Sequence, residues 1–251
     1  MNDELRQRLN KFIGYGNPAG PVWFFGAEEG LGGKMNPQEQ QRNLLRRCEW
    51  EPVMDMFEAH QTLCEAGEPI DISSSKRKGH TGVWRWMSRV ARAFDGASNY
   101  LDATHAAAFM RNSLGRRDGS TFLTELRAIP AARSGSFQRS SGTLVEERRR
   151  EQLTLLSKHQ PTAVVCYGTT LKDDFSKHLE IDWGVSDVIP WVSAKGRLIR
   201  TVIYRANIRW EIGRTTSVFL LPFFGQGAMS GALLSGFVES GGVKRLSREP
   251  V

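Results

Sequence analysis

The run Val22-Trp23-Phe24-Phe25, closed by Gly26, most constrains what this chain can fold into. Four bulky apolar residues in succession leave no polar face, so the run reads as a strand buried on both sides. Such strands belong to parallel sheets covered by helices on both faces. Residues 162–167 read as a second, β-branched strand closed by Gly168, and 122–130 as a strand stopping at Pro130. Residues 198–204 and 218–221 add two more. Helices are expected over 2–13, 37–65 and 82–95. A further helix starts at Thr143, with Glu146 completing a capping box, and runs to His159; another follows Gly168 to Leu179. The expected fold is a single α/β domain over 1–251. It is a three-layer α/β/α sandwich with a central, mostly parallel, four- to five-stranded sheet and polar excursions near 66–81 and 131–142.

In open sheets of this kind, ligands sit beyond the carboxyl ends of the strands. Three segments therefore compete for a site: the loop after Phe25, the segment after Leu123 and the loop after Leu221. Lys+Arg exceeds Asp+Glu by 34 − 27 = +7. A basic balance favours a polyanion partner, because phosphate contacts release counterions. Basic clusters fall in polar stretches: Lys76, Arg77 and Lys78; Arg111, Arg116 and Arg117; Arg133 and Arg139. They read as phosphate-tracking loops or as solvated loops that keep the chain soluble. No apolar run approaches the ~20 residues of a membrane span, and the charged stretch 2–9 has no apolar signal core. A cytoplasmic protein without a membrane partner, monomeric, is expected. Cys48, Cys64 and Cys166 form an odd, scattered set, which argues against a disulfide framework and a four-cysteine metal site. Neither metal nor cofactor is expected.

At the three candidate segments the chain resembles the uracil-DNA glycosylase superfamily. The first motif there is a strand and a short Gly-initiated loop: GQDPYH, GINPG or GEAPG. Here the strand leads into Gly26-Ala27-Glu28-Glu29-Gly30. The middle motif places an Asn at a strand end to read the base, and here the segment is Phe122-Leu123-Thr124-Glu125-Leu126-Arg127. The stretch 155–168 resembles the family's helix, Pro, strand and Gly run. The last motif, HPSPLS or a relative, corresponds to Phe223-Phe224-Gly225-Gln226-Gly227-Ala228-Met229-Ser230 after Leu221-Pro222. The resemblance spans about residues 20–240. Glu29 replaces the first motif's Pro, and Phe223 lies where the last motif's His would be. The cysteines of the iron–sulfur branch are missing, so no cluster is expected.

The resemblance implies a DNA glycosylase that flips a base, hydrolyses its N-glycosidic bond and leaves an abasic site. Glu28, on the loop's third position, would orient water and stabilise the sugar cation, with Glu29 as the alternative. Two solvated loop acids are the bland counterpart. Gly26 and Ala27 begin the loop. Gly30 stands where the main uracil-removing enzymes block the base's 5-substituent with Tyr, and Gly would admit one. Glu125, read as an ionised acceptor, suits the amino group of cytosine rather than the carbonyl of uracil; pairing with Arg127 or a loop Arg is the other reading. Together these imply a 5-substituted cytosine, such as the glucosylated hydroxymethylcytosine of some phage genomes, and a role in antiviral defence. Trp84 or Trp86 would stack on the flipped base or pack in the core. Phe223 and Phe224 would line the base site, and Met229 is a candidate wedge. Gly225, Gln226, Gly227, Ser230, Arg127 and Arg133 would contact DNA. A uracil or damaged-base repair glycosylase and an inactive DNA-binding module are the alternatives.

Overall fold

A computed structural model describes residues 2–30, 36–65, 82–130, 142–184, 186–193, 195–211, 213–225 and 227–242. The excursion at 66–81, nearly all of 131–142, and the candidates Arg133 and Gln226 lie outside the described residues.

The parallel strands foreseen from sequence form the centre. They are β2 (Val22–Gly26), β4 (Thr121–Glu125), β5 (Ala163–Tyr167) and β8 (Thr215–Leu221), hydrogen-bonded in the order β4-β2-β5-β8. The sheet is larger than expected and mixed. Among the described residues it has eight strands, in the order β3 (Val53–Met54), β1 (Gly14–Gly16), β4, β2, β5, β8, β7 (Leu198–Arg209) and β6 (Ser186–Val192), with β1 antiparallel to β4 and β7 antiparallel to β8. The edges are β3 and β6.

Period-two alternation divides the core. Val22 and Phe24 face one layer of apolar residues, Trp23 and Phe25 the other. Trp23, Phe24 and Phe25 have no exposed surface, and burying each contributes about 1.5–3 kcal/mol. On the first face lie α3 (Met56–Glu65), α4 (Gly82–Phe94), α5 (Ala103–Asn112) and α8 (Gly231–Phe237). On the second lie α6 (Gly142–His159) and α7 (Lys172–Leu179). Helix α1 (Asp3–Asn10) packs against α2 (Pro37–Arg47) and α6, and α2 also meets α3; α2 opens with an Asn36–Glu39 capping box and Pro37 at its first position.

Several boundaries differ from the sequence reading. The expected helix over 37–65 is broken by a turn and the short strand β3, because Pro52 removes a backbone donor. Strand β4 stops at Glu125 rather than Pro130, since the N–H groups of Leu126 and Arg127 turn to the carbonyls of Gly26 and Ala27 at 3.0 Å. The α6 helix already contains Thr143, and Glu146 accepts from Arg149 at 3.2 Å instead of closing a capping box.

The end of β4 is held by α6. Arg148, buried, donates from Nε to the carbonyl of Glu125 at 3.0 Å and from its other nitrogens to the carbonyls of Phe12 and Ile13. Gln152 donates to Thr124 Oγ1 at 2.6 Å and to the Glu125 carbonyl at 2.9 Å. One buried cation thus satisfies three backbone carbonyls. Arg148→Met is expected to lower the unfolding free energy by about 3 kcal/mol, read as a reduced urea midpoint at unchanged slope. A midpoint within experimental error of wild type would contradict this role.

Candidate functional site

All four segments singled out in the sequence end at one edge of the sheet. Gly26 ends β2, Glu125 ends β4, Tyr167 ends β5, and Leu221 ends β8. Gly26 pairs with Glu125, and Tyr167 with Leu221. Gly26 is needed there by contact: a methyl group at its Cα would collide with Glu125 Oε2 and the Tyr167 hydroxyl.

Among the described residues the Glu125 carboxyl receives one hydrogen bond, from the Tyr167 hydroxyl to Oε1 at 3.0 Å. Oε2 is buried without a partner among the described residues. Burial first, and the charge of Glu29 second, push the Glu125 carboxyl up to about 8. It is therefore protonated at neutral pH. This corrects the reading of Glu125 as an ionised acceptor: a neutral carboxyl both donates and accepts. Its expected alternative partner, Arg127, is engaged elsewhere.

Glu29 is the opposite case. The Tyr15 hydroxyl donates to Oε2 at 2.7 Å, and Arg47 Nη1 to the same oxygen at 2.5 Å. Nη2 of Arg47 reaches Oε1 at 3.3 Å, and His60 Nε2 lies 3.5 Å from it. Burial works against the charge of Glu29, but Arg47, then His60 and the hydrogen bonds, together hold its carboxyl below the usual value. Arg47 is itself fixed by Asn43 at 2.6 Å and lies over the Trp50 ring at 4.7 Å. His60 is fully buried, and burial lowers its pKa to about 4, so it is neutral. Trp84 meets His60 edge-on at 5.0 Å and packs against the core.

Glu28 accepts from Arg127 Nη1 at 2.7 Å, and Arg127 also reaches Asp174 at 3.6 Å. The two loop acids thus part: Glu28 is tied towards α7, and Glu29 turns to the cluster. Glu29, Arg47, Glu125, Arg127 and Arg148 line a cavity of about 20 Å³, room for one water molecule.

Beyond β8, Phe224 is buried and stacks on Tyr167 at 4.9 Å, whereas Phe223 is 40% exposed and lies 6.3 Å from the same ring. Gly225 lets the Phe223 ring fold back over it, and Gly227 has φ +73°, a conformation that favours glycine. Ala27 continues the β2 loop. Gly30 is exposed, with open space where a side chain would begin. Met229 is buried in the core, which removes it as a wedge. Ser230 caps α8, accepting from Leu233 N–H at 3.0 Å. Arg116 and Arg117 precede β4, at the edge opposite Glu125. They pair with Asp55, Glu51 and Glu58, which fits a structural role rather than phosphate tracking.

No protein-family model, curated protein or solved structure matches the chain. No group of His, Cys, Asp and Glu able to hold a metal occurs among the described residues, and no described helix is long and apolar enough to cross a membrane.

Tyr15, Arg47, His60, Tyr167 and Arg148 escaped the sequence reading. Tyr167 alone carried a local signal, as the last residue of a strand before Gly168. The others reach the site through tertiary contacts.

The opposed environments fix a pH dependence of stability. The folded pKa of Glu125 is raised, so its contribution is complete below the ordinary carboxylate value and is lost as pH rises to about 8. The folded pKa of His60 is lowered, so its contribution is lost as pH falls from about 6.5 towards 4. Between about pH 6.5 and 8 only the Glu125 effect operates of these two, and stability should fall by up to about 1.4 kcal/mol per pH unit. Glu125→Gln should flatten that decline in urea titrations. An equal decline in the variant would contradict a protonated Glu125.

Proposed function

We propose that the protein is a DNA glycosylase of uracil-DNA glycosylase type, which flips an amino-bearing pyrimidine and hydrolyses its N-glycosidic bond. The observation that carries this reading is the split carboxyl pair. Two carboxyl groups in one site, one held neutral and one held ionised, suit a step that needs both a proton donor and a fixed negative charge. Glycosidic hydrolysis is such a step, because the leaving group gains electrons as the sugar becomes cationic. The co-linear motifs support the DNA-base version, since each falls at the carboxyl end of one of the four parallel strands.

In this reading the small cavity beside Glu125 widens when DNA binds, and Glu125 faces the Watson–Crick edge of the flipped base. A neutral carboxyl can pair with cytosine, donating to N3 and accepting from the 4-amino group, and with uracil by the reverse arrangement. Hydrogen bonding alone therefore no longer selects the base, and leaving-group chemistry does. Uracil leaves as an anion that a nearby donor must stabilise, and Phe223 stands where the family has its His. Cytosine leaves as a neutral molecule once N3 takes a proton, and Glu125 holds one. The C1′–N1 bond breaks with transfer of the Glu125 proton to N3. The fixed charge of Glu29 stabilises the sugar cation while water adds to C1′ and releases its proton to solvent. Solvent reprotonates Glu125. Glu28, clamped by Arg127, adds negative charge at the loop. Gly30 leaves room for a 5-substituent, which favours modified cytosines such as glucosylated hydroxymethylcytosine and a role in antiviral defence.

Purified protein is to be incubated with oligonucleotides carrying uracil, a G·T mismatch, cytosine, 5-hydroxymethylcytosine or its glucosylated form. Alkali-labile sites are expected at the modified cytosines, with the rate falling as pH rises past about 8 and Glu125 ionises. Glu125→Gln should slow cleavage by about 10²-fold or more while duplex binding persists. Scission at uracil alone would overturn the cytosine assignment, and scission of no substrate would overturn the enzyme.

A further inference from the structure

The β6–β7 hairpin has a register that the candidate site does not use. Tyr204 of β7 pairs with Leu220 of β8, and β8 ends at Leu221. Residues 198–202 of β7 therefore run past the carboxyl edge of the sheet, paired with β6 from Val188 to Val192. At 3.4 Å per residue the projection is about 17 Å. It leaves the sheet at the same edge as Glu125 and Tyr167.

One face of the hairpin is anchored. Ile189 and Ile203 are buried, Gly236 of α8 has no side chain where Ile189 presses against it, and Trp191 donates to Thr201 at 2.9 Å. The other face is open. Directly opposed residues share a face, so Val188 with Val202, Pro190 with Arg200, and Val192 with Leu198 form one outward surface. Val188, Val192 and Leu198 are 53%, 60% and 63% exposed.

Its charge indicates what covers it. Residues 188–204 contain Lys195, Arg197 and Arg200 and no Asp or Glu. All three cations are exposed and in no ion pair among the described residues. A two-stranded ribbon fits the major groove of a duplex. Cations at its tip reach phosphates, and small apolar side chains lie against sugars and base edges.

We propose that the β6–β7 hairpin is an arm that grips double-stranded DNA beside the site, through Lys195, Arg197 and Arg200. This rests on the glycosylase reading for its partner. Its test reads binding rather than base release, so the two can fail separately.

Fluorescence anisotropy is measured on a labelled 30-base-pair duplex carrying a tetrahydrofuran abasic analogue, across a range of salt concentrations. The arm variant is Lys195→Ala, Arg197→Ala and Arg200→Ala combined. The control removes the same charge at the opposite edge: Lys158→Ala, Arg209→Ala and Arg214→Ala, of which Arg209 pairs with Thr215 at the start of β8. All six positions are exposed, and thermal melts confirm folding. The arm variant should lose affinity by about tenfold or more near physiological salt, and its log–log salt slope should become shallower by about 2 to 3. The control should stay close to wild type. Equal losses in both variants, or no loss in the arm variant, overturn the arm. Wild-type protein that binds anionic phosphatidylserine vesicles but not the duplex overturns it as well. Duplex binding that needs the arm, with no base released from any substrate, keeps the arm and removes the glycosylase.

Discussion

Glu29 and Glu125 end up at one sheet edge, in surroundings too poor in water to tolerate two neighbouring negative charges. The charge goes where the cation is. Arg47, with Tyr15, claims Glu29, and Glu125 is left with a phenolic hydroxyl and one oxygen without a partner among the described residues. Gly26 makes this possible, since any side chain there would fill the space that Glu125 and Tyr167 share. The chemical asymmetry of the site follows from these placements rather than from residue type.

Much of the surrounding scaffold keeps that asymmetry in place. Arg148 and Gln152 tie down the carbonyl of Glu125, so α6 determines where β4 stops. Helices α2 and α3 bring Arg47 and His60 to Glu29 from two sides. A buried carboxyl raised to about 8 and a buried His lowered to about 4 each cost stability at some pH. A fold selected for stability alone would not place both at one edge, and such unfavourable placements are typical of working sites.

The legible and illegible parts divide along the range of the interactions. Val22–Phe25 and residues 163–167 could be read as central strands because their pattern is local and uninterrupted. The strand-end rule then pointed to the segment after Leu123 and the loop after β2, within which the family resemblance singled out Glu125, Glu28 and Glu29. Pro190 hid β6, since proline argues against a strand except at an edge, where β6 lies. The two residues of β3 were too short to interrupt an apparent helix. Neutral Glu125 was illegible because its state is set by burial first and by the charge of Glu29 second, both products of tertiary packing. The same holds for Met229, whose position in a motif suggested a wedge while core contacts bury it.

The protonation of Glu125 can be observed directly by ¹³C NMR titration of glutamate carboxyl carbons, with Glu125→Gln and Glu29→Gln used for assignment. The expected result is a midpoint for Glu125 near pH 8, with Glu29 ionised throughout the neutral range and the Glu125 midpoint moving down in Glu29→Gln. A Glu125 midpoint in the ordinary carboxylate range, unaffected by Glu29, would contradict the split pair on which the proposed chemistry rests.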